Sequence, residues 1–445
     1  MPQKIVKKAE TLVINGDQAV ALAAAQSNVD VVAAYPITPQ TIIVEKFSEY
    51  VANGDVQTEF VCTESEHSAI SAALSASMSG ARTFTASASA GLALMHEILF
   101  VTAGTRAPVV MAVANRALSS PLNIHCDHSD TMAERDSGWI QIYTKNSQEA
   151  YDSIIQAFKI AEDITVSLPV IVGLDGFTLS HTLERVDVLS DEQVKKFVGE
   201  RVLPKVMTPE GKTAEFKLDP DHPLTMGSNV LPNYYFEFKY QQENAMKNAV
   251  DKIKEIYEKY SMYLDENGLE NSDPYCDEKV LPRKSGVEIN DGLVETYELH
   301  DADIAVVGVF GSITGTLKEV VDEFRGEDKK VGILRLRTFR PFPVKRVKEL
   351  LKDRKVIAVM DRSMTPGGAG SPVFTDVRNA LFDLNPDERP IVINYIFGLG
   401  GRDTKLEDVR KIFDDLQHIV GRLANESRAT IVFDEPKPKY LGLKE

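Results

Sequence analysis

The sequence predicts an α/β protein built from two doubly wound, mostly parallel sheets that are joined by a mixed connecting segment. Three observations carry this. Short apolar runs alternate with helical periodicity over residues 1–185, the same alternation returns over 286–445, and the stretch between, 186–285, is rich in charge, proline and aromatics instead.

In the first stretch, VDVVAAYP (29–36), EFVCTE (59–64), RTFTAS (82–87), APVVMAVAN (107–115) and LPVIVGLD (168–175) have the apolar continuity of strands buried on both faces. Helical patterns lie around and between them at GDQAVALAAAQ (16–26), EHSAISAALSASMSG (66–80), GLALMHEILFVTAG (91–104) and NSQEAYDSIIQAFKIAED (146–163). Strand, helix, strand in that order implies parallel pairing with crossovers on both faces. The middle stretch holds LDPDHPLTMG, NYYFEFKYQQ, one long helical pattern (ENAMKNAVDKIKEIYEKYSMYL) and the acidic linker DENGLENSDPYCDE, and reads as a connector that packs on something and carries little chemistry. Strands return at DIAVVGVFG (303–311), KVGILRLR (330–337), KVIAVMDRS (355–363) and PIVINYIFG (390–398), which make a second, smaller sheet domain. No repeat and no low-complexity tract interrupts the pattern.

The chain has 445 residues, of which 43% are hydrophobic and 26% charged, and a formal net charge of −16. That length suffices for two or three domains. So acidic a surface argues against nucleic acid and anionic membranes as partners, since both require a basic footprint. No apolar run approaches the ~20 residues of a membrane span. The opening MPQKIVKKAETLV has basic clusters without the apolar core of a signal peptide, so a cytoplasmic location is expected. Cys62, Cys126 and Cys276 are too few and too dispersed for a disulfide framework, and no CxxC run is present to ligate an iron–sulfur cluster.

Ligands of open α/β sheets bind outside the carboxyl ends of the strands. That rule selects YPITPQT (35–41), TESEHSA (63–69), SASAG (87–91) and NRALSSPLNIHCDHSD (115–130). The prolines at 36 and 39 stiffen the first turn and make Thr38 either a rigidly presented hydroxyl or a cap for the next helix. Thr63 and Glu66 have the spacing of a capping box, so Glu66 is a helix-start residue or a site acid. The Ala/Ser-rich helix that follows suits close approach of another backbone, at a subunit interface or within its own domain. Arg116, at the end of an apolar strand, needs an anion or carbonyl partner. HCDHSD (125–130) is a hydrogen-bonded network or, less simply, a metal site. GSITGT (311–316), MTPGGAGSP (364–372) and FGLGGRD (397–403) are glycine-rich rims of the second domain, suited to tight turns or to a phosphate at a helix start. Neither GxGxxG after a strand nor a Walker A run occurs, which disfavours a nicotinamide dehydrogenase.

Taken together, YPITPQT, ESEHSA, the small-residue helix, RALSSPLNIHCDHSD and DSGWIQIY resemble the alpha subunit of pyruvate:ferredoxin oxidoreductases, within the 2-oxoacid:ferredoxin oxidoreductase family. LDPDHPLTMG, YYFEFKYQQ, GSITGT, LRTFRPFP, DRSMTPGGAGSP and FGLGGRDT extend the resemblance over nearly the whole chain. It implies a thiamine diphosphate pyrimidine-binding domain (1–185), a connecting segment (186–285) and a transketolase C-terminal-like domain (286–445). Glu66 matches the glutamate that contacts the cofactor's aminopyrimidine, with Glu64 as the competing position, and Pro36 lies where the family's loop touches the cofactor. Arg116 matches the arginine that binds the substrate carboxylate and Thr38 the threonine that hydrogen-bonds the substrate. The family decarboxylates a 2-oxoacid, passes electrons through iron–sulfur clusters to ferredoxin and hands the acyl group to coenzyme A.

This chain has no GDG…N pattern for Mg2+ and the diphosphate and no cluster cysteines. The resemblance therefore implies partners: a diphosphate-binding beta subunit that shares the cofactor and carries Mg2+, a gamma subunit, and a ferredoxin-like delta subunit with 4Fe–4S clusters. Pyruvate is the expected substrate. 2-Oxoglutarate, 2-oxoisovalerate or oxalate is the alternative, and a non-catalytic scaffold is the reading from another class. Two departures stand out: the segment 191–217 is longer than the family's, and SASAG (87–91) differs from its Ser-Ser-Xaa-Gly turn, so no role is assigned to Ser89.

Overall fold

Parallel strands cannot be joined by hairpins, and the helices between them both connect and cover the sheet. The computed structural model describes residues 5–208, 211–269, 287–434 and 438–444. Its first seven-stranded sheet runs in the order Thr338–Arg340, Ile140–Tyr143, Val170–Asp175, Val109–Asn115, Thr83–Ser87, Val31–Ala34, Glu59–Cys62. All neighbours are parallel except Thr338–Arg340, which pairs antiparallel with Ile140–Tyr143. The central strands Thr83–Ser87, Val109–Asn115 and Val170–Asp175 are buried along their whole length, as their unbroken apolar runs require, whereas the edge strand Glu59–Cys62 is half open.

Helix Gly16–Gln26 starts with a capping box between Asn15 and Gln18 and buries a nearly continuous run of alanines. Its small side chains let helix Ser147–Glu162 come close, and Tyr151 Oη donates to Gln26 Oε1 at 2.6 Å across that seam. The helix expected over 91–104 is broken at Met95 into Ser89–Leu94 and His96–Gly104. Strand Glu10–Ile14, paired antiparallel with Glu184–Val188, and helix Thr41–Ala52 were not among the sequence expectations. The first is short with mixed polarity, and the second opens on TIIV, a β-branched run that reads equally as a strand.

The second seven-stranded sheet is ordered Val287–Asn290, Val294–Tyr297, Val331–Leu336, Ile304–Gly308, Val356–Asp361, Ile391–Ile396, Lys439–Tyr440. Between the sheets, helix Asp191–Val198 seats Val194, Phe197 and Val198 in the first domain's core, and Lys205–Met207 pairs with Thr213–Glu215. Helix Pro232–Glu266 buries one stripe, from Ala245 to Leu264. Before that stripe, Leu231, Tyr234, Tyr235, Phe236, Phe238 and Tyr240 are each more than half exposed, the least at 51%. Most of the acidic linker, with Cys276, lies outside the described residues.

The two sheets share one apolar core, in which Tyr143 and Val172 of the first belong to the same cluster as Leu334 and Val359 of the second. A buried charge cluster crosses the same seam. Arg335 pairs with Glu149 at 2.6 Å and with Glu295 at 3.2 Å, Arg337 with Glu149 at 3.2 Å, and Lys318 and Lys145 with Glu295 at 2.7 and 2.9 Å.

Candidate functional site

The carboxyl ends of the first sheet's strands release their turns along one rim, which faces the turns after Ile304–Gly308, Val356–Asp361 and Ile391–Ile396 of the second sheet. The rims are bonded together. Asp175, the last residue of its strand, accepts from Ser312 N–H at 2.8 Å, Ser312 Oγ at 2.7 Å, Arg362 Nη1 at 2.6 Å and the His128 ring at 2.9 Å. Burial would raise this carboxyl, but the Arg362 charge, with His128 and Ser312, outweighs it and holds Asp175 well below the usual carboxylate range. The GSITGT turn thus cradles an anion supplied by the chain itself, and a side chain at Gly311 would strike Asp175.

The HCDHSD stretch is a hydrogen-bonded network. Cys126, His128 and Asp175 bring ligand-type atoms within 4.8 Å of one another, yet Asp175 already engages His128 through Oδ1 and Arg362 and Ser312 through Oδ2. Asp127 accepts from Gly400 N–H at 3.1 Å, and Asn123 Nδ2 donates to Gly400 O at 2.9 Å. FGLGGRD is therefore the surface on which the 117–130 loop rests.

Glu66 and Glu64 are separated by their surroundings. Helix Glu66–Met78 is capped by Ser65, whose Oγ accepts from Ser68 N–H, so the expected Thr63–Glu66 capping box does not form. Thr63 Oγ1 donates instead to Ala34 O and Ser65 O. Glu64 is exposed and takes Ser68 Oγ at 2.5 Å, a bond that lowers its carboxyl from the ordinary value. Glu66 is 7% exposed, and among the described residues its carboxyl has neither hydrogen bond nor ion pair. Two further features face it. Ser87 Oγ is buried without a partner, and a Cβ at Gly91 would stand 2.6 Å from Glu66 Oε1 and 2.8 Å from Ser87 Oγ. The Ser87 hydroxyl is sealed without a partner, and the Glu66 carboxyl beside it is bonded to no described residue. Gly91 lets the unbonded acid and the orphaned hydroxyl pack against its backbone, and both remain available to donors or acceptors of a cofactor ring.

Arg116 and Thr38 are brought together. The Arg116 guanidinium, 8% exposed, donates through Nη1 to Thr38 O at 2.9 Å and through Nε to Asn123 O at 3.2 Å. Among the described residues its partners are carbonyls, with no ion pair, and Nη2 has no protein partner. Thr38 is exposed and does not cap the next helix, whose N-cap is Gln40. Pro36 is exposed on the same turn. Sequence reasoning selected SASAG (87–91) and HCDHSD (125–130) as rim stretches but assigned no role to Ser87, Gly91 or Asp130. Asp130 accepts the backbone N–H groups of Ser89 and Arg116 at 3.0 and 2.9 Å. Only the buried acid in HCDHSD hinted at it.

Comparison with known proteins places the chain in a family. The family described as "Pyruvate flavodoxin/ferredoxin oxidoreductase, thiamine diP-bdg" matches residues 22–258, and "Pyruvate:ferredoxin oxidoreductase core domain II" matches residues 302–409. Pyruvate synthase subunit PorA of Methanocaldococcus jannaschii is 47% identical over 92% of this chain and 95% of its own. Ketoisovalerate oxidoreductase subunit VorA of Pyrococcus horikoshii is 39% identical over 93% of this chain and 96% of its own. Among solved structures, a 2-oxoglutarate:ferredoxin oxidoreductase from Magnetococcus marinus shares the fold, with TM-score 0.67 at 18% identity over 92% of this chain; the match spans 65% of that longer chain. With two family models in register along it and relatives matched nearly end to end, the chain belongs to the pyruvate:ferredoxin oxidoreductase family.

Proposed function

We propose that this chain is the thiamine diphosphate-activating subunit of a pyruvate:ferredoxin oxidoreductase, active only with partner subunits. The observation that carries the reading is the buried, unpartnered Glu66 carboxyl beside Ser87 and Gly91. Thiamine diphosphate, when bound, supplies the thiazolium carbon that adds to the keto group of a 2-oxoacid. Glu66 would hold a proton against the cofactor's pyrimidine nitrogen, a general acid–base role open to a carboxyl that no described residue bonds. Pro36, on the rigid turn 35–41, flanks the cofactor. Arg116 keeps Nη2 for the substrate carboxylate while Nη1 and Nε fix its plane on Thr38 O and Asn123 O. The Thr38 hydroxyl, presented by the same turn, hydrogen-bonds the substrate. Both residues position rather than activate.

The division into 1–185, 186–285 and 286–445 is part of this proposal, and so are the partners. A beta subunit brings Mg2+ and the diphosphate contacts. Gamma and ferredoxin-like delta subunits bring 4Fe–4S clusters and the route to ferredoxin, and coenzyme A takes the acyl group. The exposed aromatics at 234–240 and the small-residue helix are surfaces that assembly would cover. No helix among the described residues is long and apolar enough to cross a membrane, and a cytoplasmic site fits the reading. Pyruvate is the proposed substrate, since the 2-oxoisovalerate alternative, favoured by the VorA relative, rests on the lower identity, and an oxalate site would favour an additional cation near YPITPQT, which that turn lacks.

The test is the complex reconstituted with its partners. It is expected to oxidise pyruvate in preference to 2-oxoisovalerate and 2-oxoglutarate, and Glu66→Gln is expected to lower turnover by roughly 10²–10⁴-fold, the range of a lost general acid–base group. Preference for a larger 2-oxoacid refutes the substrate, and wild-type turnover of Glu66→Gln supports the scaffold reading instead.

A further inference from the structure

Two turns border the proposed site. The short helix Ser89–Leu94 after strand Thr83–Ser87 brings Gly91 against Glu66, and the turn after Val109–Asn115 begins with Arg116. One side chain holds both. Asp130 Oδ2 accepts from Ser89 N–H at 3.0 Å and from Arg116 N–H at 2.9 Å, while Oδ1 accepts from Asn115 Nδ2 at 2.8 Å and from Thr131 N–H at 2.8 Å. Ser89 sits at φ +47°, in the left-handed region that a serine occupies only when its surroundings fix it. Its Oγ donates to Ala117 O at 2.5 Å, a second tie between the same two turns.

Asp130 is 1% exposed, and among the described residues it has no cationic partner. Four N–H groups converge on its two oxygens. An ionised carboxylate is the one side chain of this size that accepts on both; an asparagine in its place must aim an NH2 at one pair of donors. A buried charge without a counter-ion is a costly way to hold a loop for folding alone. The geometry is instead that of a gauge between two functional turns.

We propose that Asp130 is a positioning residue of the reaction: its carboxylate fixes the spacing between the Arg116 clamp for the substrate carboxylate and the Gly91–Glu66 edge that receives the cofactor's pyrimidine. The inference rests on the proposed function. It adds that the substrate and cofactor subsites are set by one group, so that its loss disturbs both.

The test compares Asp130→Asn, Arg116→Ala, their combination and Glu134→Gln in the reconstituted complex. KM and kcat for pyruvate are measured, together with the Kd of thiamine diphosphate by equilibrium titration of the cofactor-free complex, and folding by thermal melting. Asp130→Asn is expected to raise KM and the cofactor Kd together, each by roughly tenfold, the scale of one lost hydrogen bond to a charged group, with a smaller change in kcat. In the Arg116→Ala background it should add nothing to KM yet still weaken cofactor binding. Glu134, another buried acid at the end of the same short helix, bonds His96 and neither turn, so Glu134→Gln should leave KM and Kd unchanged. A folded Asp130→Asn with wild-type KM and Kd overturns the inference, as does a KM effect fully additive with Arg116→Ala. If Asp130→Asn does not fold, Asp130→Glu, which keeps the charge but moves its oxygens away from the Ser89 and Arg116 N–H groups, should show the same joint rise; no rise in a folded variant overturns the inference. Wild-type KM in Arg116→Ala would defeat the functional reading itself, whereas a raised KM there with an unaffected Asp130→Asn defeats the positioning role alone.

Discussion

At the scale of single residues, the site depends on which acids are bonded and which are not. Glu64 spends its carboxyl on Ser68 in open water, and Glu66, two positions on, is enclosed and empty-handed. Glu64→Gln is therefore expected to leave turnover of the assembled enzyme within about twofold, because exposed substitutions away from such features change little. Arg116→Ala should raise the barrier for the 2-oxoacid by roughly 2–4 kcal/mol, the scale of a lost charged partner, read as kcat/KM. The chemistry-bearing residue types were legible in the sequence, because Thr38, Glu66 and Arg116 all sit at strand ends. Their engagement was not. Thr63 and Glu66 satisfy the capping-box spacing as written, but the helix starts two residues later than that box requires and Ser65 takes the cap. Asp130 was hidden because three of its four donors are backbone N–H groups, which carry no residue signature.

Elements add a second constraint, that of clearance. Gly91 opens the space between Glu66 and Ser87, so Gly91→Ala should displace the acid: overpacking of about 1–3 kcal/mol shared between stability and site geometry, seen as a lower melting temperature and weaker thiamine diphosphate binding. The aromatic start of helix Pro232–Glu266 behaves oppositely. Tyr235 and Phe236 are 58% and 77% exposed, so Phe236→Glu should change the isolated chain's stability by no more than about 0.5 kcal/mol while impairing assembly, checked by melting alone and by co-elution with the partner subunits. Element types followed from periodicity wherever runs were long, as in Val109–Asn115. They failed at Ile140–Tyr143 and Thr338–Arg340, four and three residues long, too short for a period to show.

The whole molecule is less divisible than its sequence suggests. Two alternating α/β stretches imply two separable domains, yet Thr338–Arg340 completes the first sheet and Arg335 and Arg337 of the second stretch are neutralised by Glu149 of the first. Long-range pairing of this kind leaves no local trace, since each partner reads as an ordinary strand or surface charge. A fragment of residues 1–285 is expected to be unstable in isolation, with an open sheet edge and an unpaired Glu149. The same seam sets acid sensitivity. Burial would raise Glu149 and Glu295, but Arg335, Arg337, Lys145 and Lys318 outweigh it and hold both below the ordinary value, as Arg362 does for Asp175. Carboxyls depressed on folding contribute stability that is present above their unfolded pKa of about 4 and is lost as pH falls below it. Melting temperature should therefore fall steeply below pH ~4, and Asp175→Asn, which strands Arg362, should cost about 3–5 kcal/mol at neutral pH.

The most direct test of the central claim is deuterium exchange at the thiazolium carbon of thiamine diphosphate bound to the complex, followed by NMR in wild type and Glu66→Gln. If the Glu66 carboxyl works on the pyrimidine, exchange in the variant slows by roughly 10²–10⁴-fold while the cofactor remains bound. Exchange at the wild-type rate, with the cofactor equally bound, would contradict the account.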